Sequence, residues 1–144
     1  MRCITYGHGN RFSLKKFHPV KNEFHPKPIG GLWGSPSHSV HGWRNWCINN
    51  HWPQDWNQFF EYTLDGNILT IDQMADLTRL PWREPFPNLF YPDYETLLKR
   101  QHIDALYLTA NGVRATHCTW PRHLNGWDCE SILVLNPAIV HPIE

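Results

Sequence analysis

Short apolar runs broken by turn residues dominate the chain, and long helical stripes are absent. Residues 3–7 are β-favouring and predict an opening strand that runs into the turn composition Gly7-His8-Gly9-Asn10. Residues 10–29 are polar, basic and Pro-containing, and read as an ordered loop. Gly30 to Pro36 reads as a short strand broken by glycines, which mark close approach of backbone or ligand. Ser37 or Ser39 would then cap a helix whose apolar face is Trp43, Trp46 and Cys47 at i, i+3, i+4.

The runs 58–64 and 67–71 flank Asp65-Gly66, a short-range signal for a β-hairpin. Asp72 would cap a helix carrying Met74 and Leu77. Residues 81–92 hold four prolines among Trp82, Phe86, Phe90 and Tyr91, which predicts an irregular aromatic loop over a pocket, a partner or a core edge. Pro92-Asp93 opens a helix with Tyr94, Leu97 and Leu98 on one face, and residues 103–108 follow as a strand. A loop over 110–127 leads to Ser131–Leu135, apolar on both faces and so a central strand, which Asn136-Pro137 ends. The pattern contains no internal repeat and fits one domain over 1–144.

Composition changes this picture little, except that eight tryptophans in 144 residues are many to bury, so some should line a cleft. Charge is uneven under a formal net of zero. Residues 1–27 carry six Lys or Arg and one acid, net +5, and the remainder is net −5. The basic segment suits either a phosphate-bearing ligand or a solvated surface. No apolar run is long enough for a membrane span and no signal peptide is evident, so a cytoplasmic protein without membrane partners is expected. The four cysteines are scattered and predict free thiols. His117-Cys118 and Cys129 match no zinc spacing, so no metal is expected. Phosphate loops, GxGxxG, GxSxG and HExxH are all missing.

Chemistry concentrates at Glu130, an acid at the mouth of the apolar strand; a solvated acid ahead of a strand would read the same way. Element order adds a resemblance. A strand ending near His8-Gly9 is followed by Gly-Leu-Trp-x-Ser and an aromatic helix. Then come an F-x-Y-x-L run, an I-L-x-I-D run, an I-D-A-L strand and Glu130-Ser-Ile-Leu-Val-Leu-Asn-Pro. This order is similar to that of the ADP-ribosyltransferase-like superfamily, in particular its small phage and bacterial members and its His-Tyr-Glu, diphtheria-toxin-like branch.

That resemblance implies an α+β fold, a split β-sandwich of two small facing sheets with peripheral helices, and NAD as co-substrate between them. It implies transfer of ADP-ribose to a protein or nucleic-acid acceptor by a toxin, phage effector or anti-defence protein, with an inhibitor protein as a further partner. In such chemistry positive charge builds on the ribose, and a rigidly held carboxylate stabilises it. Glu130 would be that carboxylate. His8 and Gly9 would hold the adenosine-side ribose and the nicotinamide amide; in the other branch an Arg takes the first-strand place, for which Arg2 and Arg11 are the nearest. Leu32, Trp33 and Ser35 correspond to the family's second strand, with Trp33, Trp43 or Trp46 stacking on nicotinamide and Ser35 orienting the carboxylate. Lys27 would contact the pyrophosphate, and Asp128 would face the acceptor. Two other functions use the same residues: a non-catalytic nucleotide-binding module, and a protein-interaction module working through 81–92.

Overall fold

A computed structural model describes residues 1–144. Nine strands and three short α-helices alternate along the chain in an α+β arrangement: β1 Arg2–Tyr6, β2 Leu32–Pro36, α1 Trp43–Asn49, β3 Phe59–Leu64, β4 Ile68–Ile71, β5 Trp82–Phe86, β6 Leu89–Pro92, α2 Tyr94–Lys99, β7 Ala105–Leu108, α3 Ala110–Thr116, β8 Ser131–Val134 and β9 Val140–Ile143. Seven strands form one sheet in the order β4-β7-β8-β2-β1-β3-β9, and β5-β6 stand apart as a two-stranded ribbon.

β2 is the hinge of this sheet. Its first half pairs with β8 through Leu32, Trp33 and Gly34, and its second half pairs with β1 through Ser35 and Pro36. The sheet turns over at this shared strand. Phe60, Tyr62 and Leu64 of β3 and Val140 of β9 share one buried cluster with Cys3 of β1, Leu32 of β2, and Ala105, Ile132 and Val134 of β7 and β8. The two halves of the sheet are thus joined through β2. The opposite face of β7 and β8, with Leu106, Leu108 and Leu133, packs under α2, the Met74–Arg79 turn and the 117–127 segment, whose Leu124 and Trp127 complete the second cluster. β8 is buried on both faces, as its continuous apolar run predicts. Truncating Leu133 to Ala there is expected to cost about 2–5 kcal/mol.

Several local expectations are corrected. β3 and β4 do not form a hairpin: β3 pairs with β1 and β9, and β4 runs parallel to β7. A type I′ turn needs positive φ at both central residues. Neither Asp65 nor Gly66 has one. Asp65-Gly66 instead crosses between the half-sheets, with the Asp65 N–H on the Ile139 carbonyl at 3.0 Å. The Pro-rich 81–92 segment is an antiparallel ribbon with an irregularity between Arg83 and Phe86, because a two-stranded ribbon has free edges on which prolines are tolerated. Asp72 does not cap the turn after it. Gln73 and Asp76 form a capping box there, and Asp72 accepts the Thr109 hydroxyl at 2.6 Å. The 110–127 loop contains α3, capped by Thr109. β9, unassigned from the sequence, closes the far edge against β3. Asp93 caps α2 as expected, accepting from the Thr96 N–H at 3.0 Å. No helix is long and apolar enough to cross a membrane.

Candidate functional site

Glu130 directly precedes β8 and is only 9 % exposed. Its backbone is pinned at both ends. The N–H donates to the His41 carbonyl at 3.0 Å, and the carbonyl accepts the Ser35 hydroxyl at 2.9 Å. The same Ser35 oxygen accepts the Trp43 N–H at 3.0 Å and so ties β2, β8 and the start of α1 at one point. The carboxylate is held separately. Ser39 donates to one oxygen and Tyr107 to the other. Tyr107 lies opposite Ile132 in the β7–β8 register, so it and Glu130 are diagonal neighbours on one face. Burial first, then its hydrogen bond to Glu130 and that carboxylate's charge, push the Tyr107 hydroxyl well above its ordinary range, which keeps it a donor at neutral pH. Ser39 is fixed in turn by accepting the His41 N–H at 3.0 Å.

Around this corner the half-sheets leave two adjoining cavities. One, of about 270 Å³, lies where β1 leaves β2 beyond the Ile4–Ser35 pair, and its walls include Tyr6, His8, Lys27, Trp33, Trp43 and Asp128. The departing strands stay linked by the Thr5 hydroxyl, which donates to the Trp33 carbonyl at 2.8 Å. The second, of about 200 Å³, lies between α1 and α3 and is walled by His41, Asn45, Trp46, Arg114, Asp128 and Glu130. Asp128 and Cys129 line both and form the partition. A larger cavity of about 540 Å³ shares Gly7, His8 and Trp33 with the first, and carries Gly9, Arg11, Lys16 and His18 on its walls with no acid among them.

No family model matches the chain, and no curated protein or solved structure matches it.

The expected site residues fall into two groups. His8, Lys27, Trp33, Trp43 and Asp128 line the 270 Å³ cavity together; Gly9 and Leu32 line the 540 Å³ cavity, Leu32 with its side chain mostly in the core. Glu130 opens onto the 200 Å³ cavity instead. Trp33 pairs with Leu133 and packs on that residue's face of the sheet, and Glu130, three residues earlier, points to the opposite face. Ser35 orients the Glu130 backbone and not its carboxylate; Ser39 and Tyr107 do the latter. Trp33 is half-buried, edge-on to Trp127 at 4.7 Å, with the Lys27 Nζ 5.4 Å from its ring centre. Lys27 also pairs with Asp128 at 3.3 Å, closing a bridge across the cleft. Trp43 stacks on Trp46 at 5.2 Å, 9° from parallel.

Sequence reasoning missed Ser39, Tyr107 and Gln54, the last a wall of the 270 Å³ cavity. The signal for Tyr107 lay in strand pairing: once β7 neighbours β8, the tyrosine two positions diagonal from Glu130 follows. All four cysteines are free, and burial raises the Cys47 thiol to about 11, so it is no nucleophile at neutral pH. His117 binds the Trp127 carbonyl at 2.8 Å and stands as a structural residue.

Proposed function

We propose that this chain is an NAD-dependent ADP-ribosyltransferase of the split-sandwich kind, acting on a macromolecular acceptor. The observation that carries this reading is Glu130, buried, with its backbone fixed at two points and its carboxylate at two more, beside the shared strand. In the reaction the ribose–nicotinamide C–N bond breaks, its electron pair leaves with nicotinamide, and the acceptor's nucleophile closes on the anomeric carbon as its proton passes to solvent. Positive charge on the ribose grows before the new bond forms. A carboxylate that needs no reorganisation is most effective against such charge. The adjoining 270 and 540 Å³ cavities, which share Gly7, His8 and Trp33, offer room for a dinucleotide, with indoles for the nicotinamide and Arg11, Lys16 and Lys27 for the pyrophosphate.

Labelled NAD incubated with a cell lysate tests it. Wild type should release nicotinamide and label a macromolecule, and Glu130→Ala should lower both by two to three orders of magnitude, in the range of losing a preorganised electrostatic group, while keeping NAD affinity. Equal labelling by wild type and variant would sink the assignment of Glu130.

One observation favours a second reading, a nucleotide-binding module without turnover: both oxygens of Glu130 are taken by hydroxyls, and its carboxylate does not line the cavity that Trp33 lines. NAD bound with no nicotinamide released, whatever acceptor is supplied, would establish that alternative.

A further inference from the structure

Four of the eight tryptophans, Trp43, Trp46, Trp52 and Trp56, lie on α1 and the turn behind it, and the core explains none of them. Trp43, Trp46 and Trp52 form a chain of ring contacts at the surface, and Trp56 adjoins it through Arg44 of α1. Trp43 and Trp46 stack in parallel, and Trp52 leans on Trp46 at 6.2 Å while 56 % exposed. Trp56 stands edge-on to Tyr6 at 5.1 Å and carries the Arg44 guanidinium 5.8 Å from its ring centre. The indole N–H groups that the fold uses as donors belong to Trp82 and Trp127, not to this strip. The strip borders both smaller cavities, since Tyr6 and Trp43 line the 270 Å³ one and Trp46 the 200 Å³ one that Glu130 also lines.

The chain ahead of Asp55 is poor in acids. From Phe24 to Gln54 there is no Asp or Glu, and the first 54 residues hold seven Lys or Arg against the single acid Glu23. Arg44 and Arg114 take part in no ion pair. Of the carboxylates nearby, Asp128 is engaged by Lys27 and Glu130 by two hydroxyls, while Asp55, beside Trp56, is exposed and accepts the Asn57 N–H at 2.9 Å. Inside the 200 Å³ cavity, Asn45 and Asn49 sit one helical turn apart on α1 with Arg114 facing from α3, beside the flat wall of Trp46. Amide and guanidinium groups read the edge of a nucleobase, exposed indoles stack on its face, and unpaired arginines meet phosphates. The indoles would serve a peptide equally; the Asn45 and Asn49 amides and the unpaired guanidinium groups of Arg44 and Arg114 beside them are what favour a nucleobase and its phosphates.

We infer that the acceptor is single-stranded nucleic acid, held along Trp46, Trp52, Arg44 and Trp56 with one base lodged in the 200 Å³ cavity next to Glu130. The inference rests on the transferase reading for its chemistry, but its binding surface is tested independently.

Titration of the full chain into fluorescein-labelled single strands of about 15 nucleotides, DNA and RNA, at low salt is the first arm. Single strands should bind more tightly than a hairpin duplex of the same length. Trp52→Ala, at an exposed site that folding does not need, should weaken binding about tenfold. Arg44→Gln should flatten the salt dependence by roughly one phosphate contact, ~0.7 in slope. No binding of single strands, or binding that neither variant weakens, would overturn the inference. The second arm treats lysate labelled from NAD with nuclease or with protease. Label removed by nuclease supports the inference. Label removed only by protease overturns it and leaves the transferase reading standing. Absence of any nicotinamide release defeats the transferase reading itself, and the titration then decides whether the strip binds nucleic acid.

Discussion

Two walls in this region of the molecule, that of the Glu130 pocket and that of the glycine-lined cavity, are built on opposite plans. On the Glu130 side, side chains do the fixing: Ser35, Ser39 and Tyr107 each hold a particular oxygen of one residue, and strand β8 behind it is fully buried. In the second, Gly7, Gly9, Gly30 and Gly31 all take positive φ and line the 540 Å³ cavity, so backbone and space prevail. A wall of the first kind presents one charge in one place. A wall of the second kind accepts an extended ligand along its backbone and derives its shape from loop conformation. The contrast fits a site where the chemistry is fixed and the ligand is long.

Glycine substitutions should separate space from conformation on the second wall, with the largest effect of those considered. A Cβ at Gly30 would stand 2.3 Å from the Pro19 carbonyl oxygen, at φ +77. Gly30→Ala is therefore expected to cost about 3 kcal/mol or more, from left-handed strain plus a backbone clash. Gly9 has φ +82 but nothing within 4 Å of a built Cβ. Gly9→Ala should cost only about 1–2 kcal/mol. Urea unfolding of the two variants measures the difference, and equal losses would show that the loop relaxes around residue 30.

The first wall predicts the reverse pattern, a small change in stability and a larger one in rate. Tyr107→Phe removes a donor to a buried carboxylate while Ser39 remains, so nicotinamide release should fall ten- to hundredfold, about 1.5–3 kcal/mol for a hydrogen bond to a charged group. Tyr107 acts through Glu130 as a positioning residue, so kcat should fall with KM nearly unchanged. A rise in KM at constant kcat would show instead that the tyrosine contacts NAD.

How far the sequence showed these walls depends on the range of the contacts. β8 was legible because four consecutive apolar residues need burial on both faces, and α2 because Asp93 caps it locally. The mouth of β8 also singled out Glu130. α3 was hidden by Asn111-Gly112, which reads as a turn, yet Gly112 is there for packing: a Cβ would lie 2.2 Å from the Ile71 carbonyl oxygen. Asp65-Gly66 misled for the opposite reason, since a strong local hairpin signal was overridden by the pairing of β4 with β7. Ser39 and Tyr107 reach Glu130 from 91 and 23 residues away. No local pattern encodes such contacts; they follow only from strand order.

Stability against acid probes how the basic segment behind the glycine wall is moored. Asn22 donates to Asp93 at 2.8 Å and accepts the Tyr94 N–H at 2.9 Å, tying residues 18–27 to α2. Burial raises the Asp93 carboxyl, but hydrogen bonds from the Thr96 backbone, Asn22 and the Thr96 hydroxyl outweigh it and hold the group below its ordinary 3.8. A carboxyl lowered on folding stabilises the protein above its unfolded value and loses that contribution as pH falls through the folded one. Wild type should therefore lose stability below about pH 4. Asp93→Ala, about 1 kcal/mol less stable at pH 7 as a lost cap, should lose less on acidification. An unchanged acid slope in the variant would place the acid sensitivity elsewhere.

The smallest effect on stability is expected at the ion pair on the wall of the 270 Å³ cavity between these regions. Lys27 and Asp128 pair at 3.3 Å with side chains 40 % and 37 % exposed, so solvent screens them and the pair contributes at most about 1 kcal/mol. Lys27→Met keeps the aliphatic stem and should leave the urea midpoint nearly unmoved. Its ammonium also lies over Trp33 and on the wall of the 270 Å³ cavity, where the proposed pyrophosphate would run. Removing that charge should weaken ADP binding severalfold and make it less sensitive to salt. If the variant loses stability but binds ADP as wild type does, the lysine serves as a strut between the walls, and the cation for the phosphates must be sought at Arg11 and Lys16 in the larger cavity.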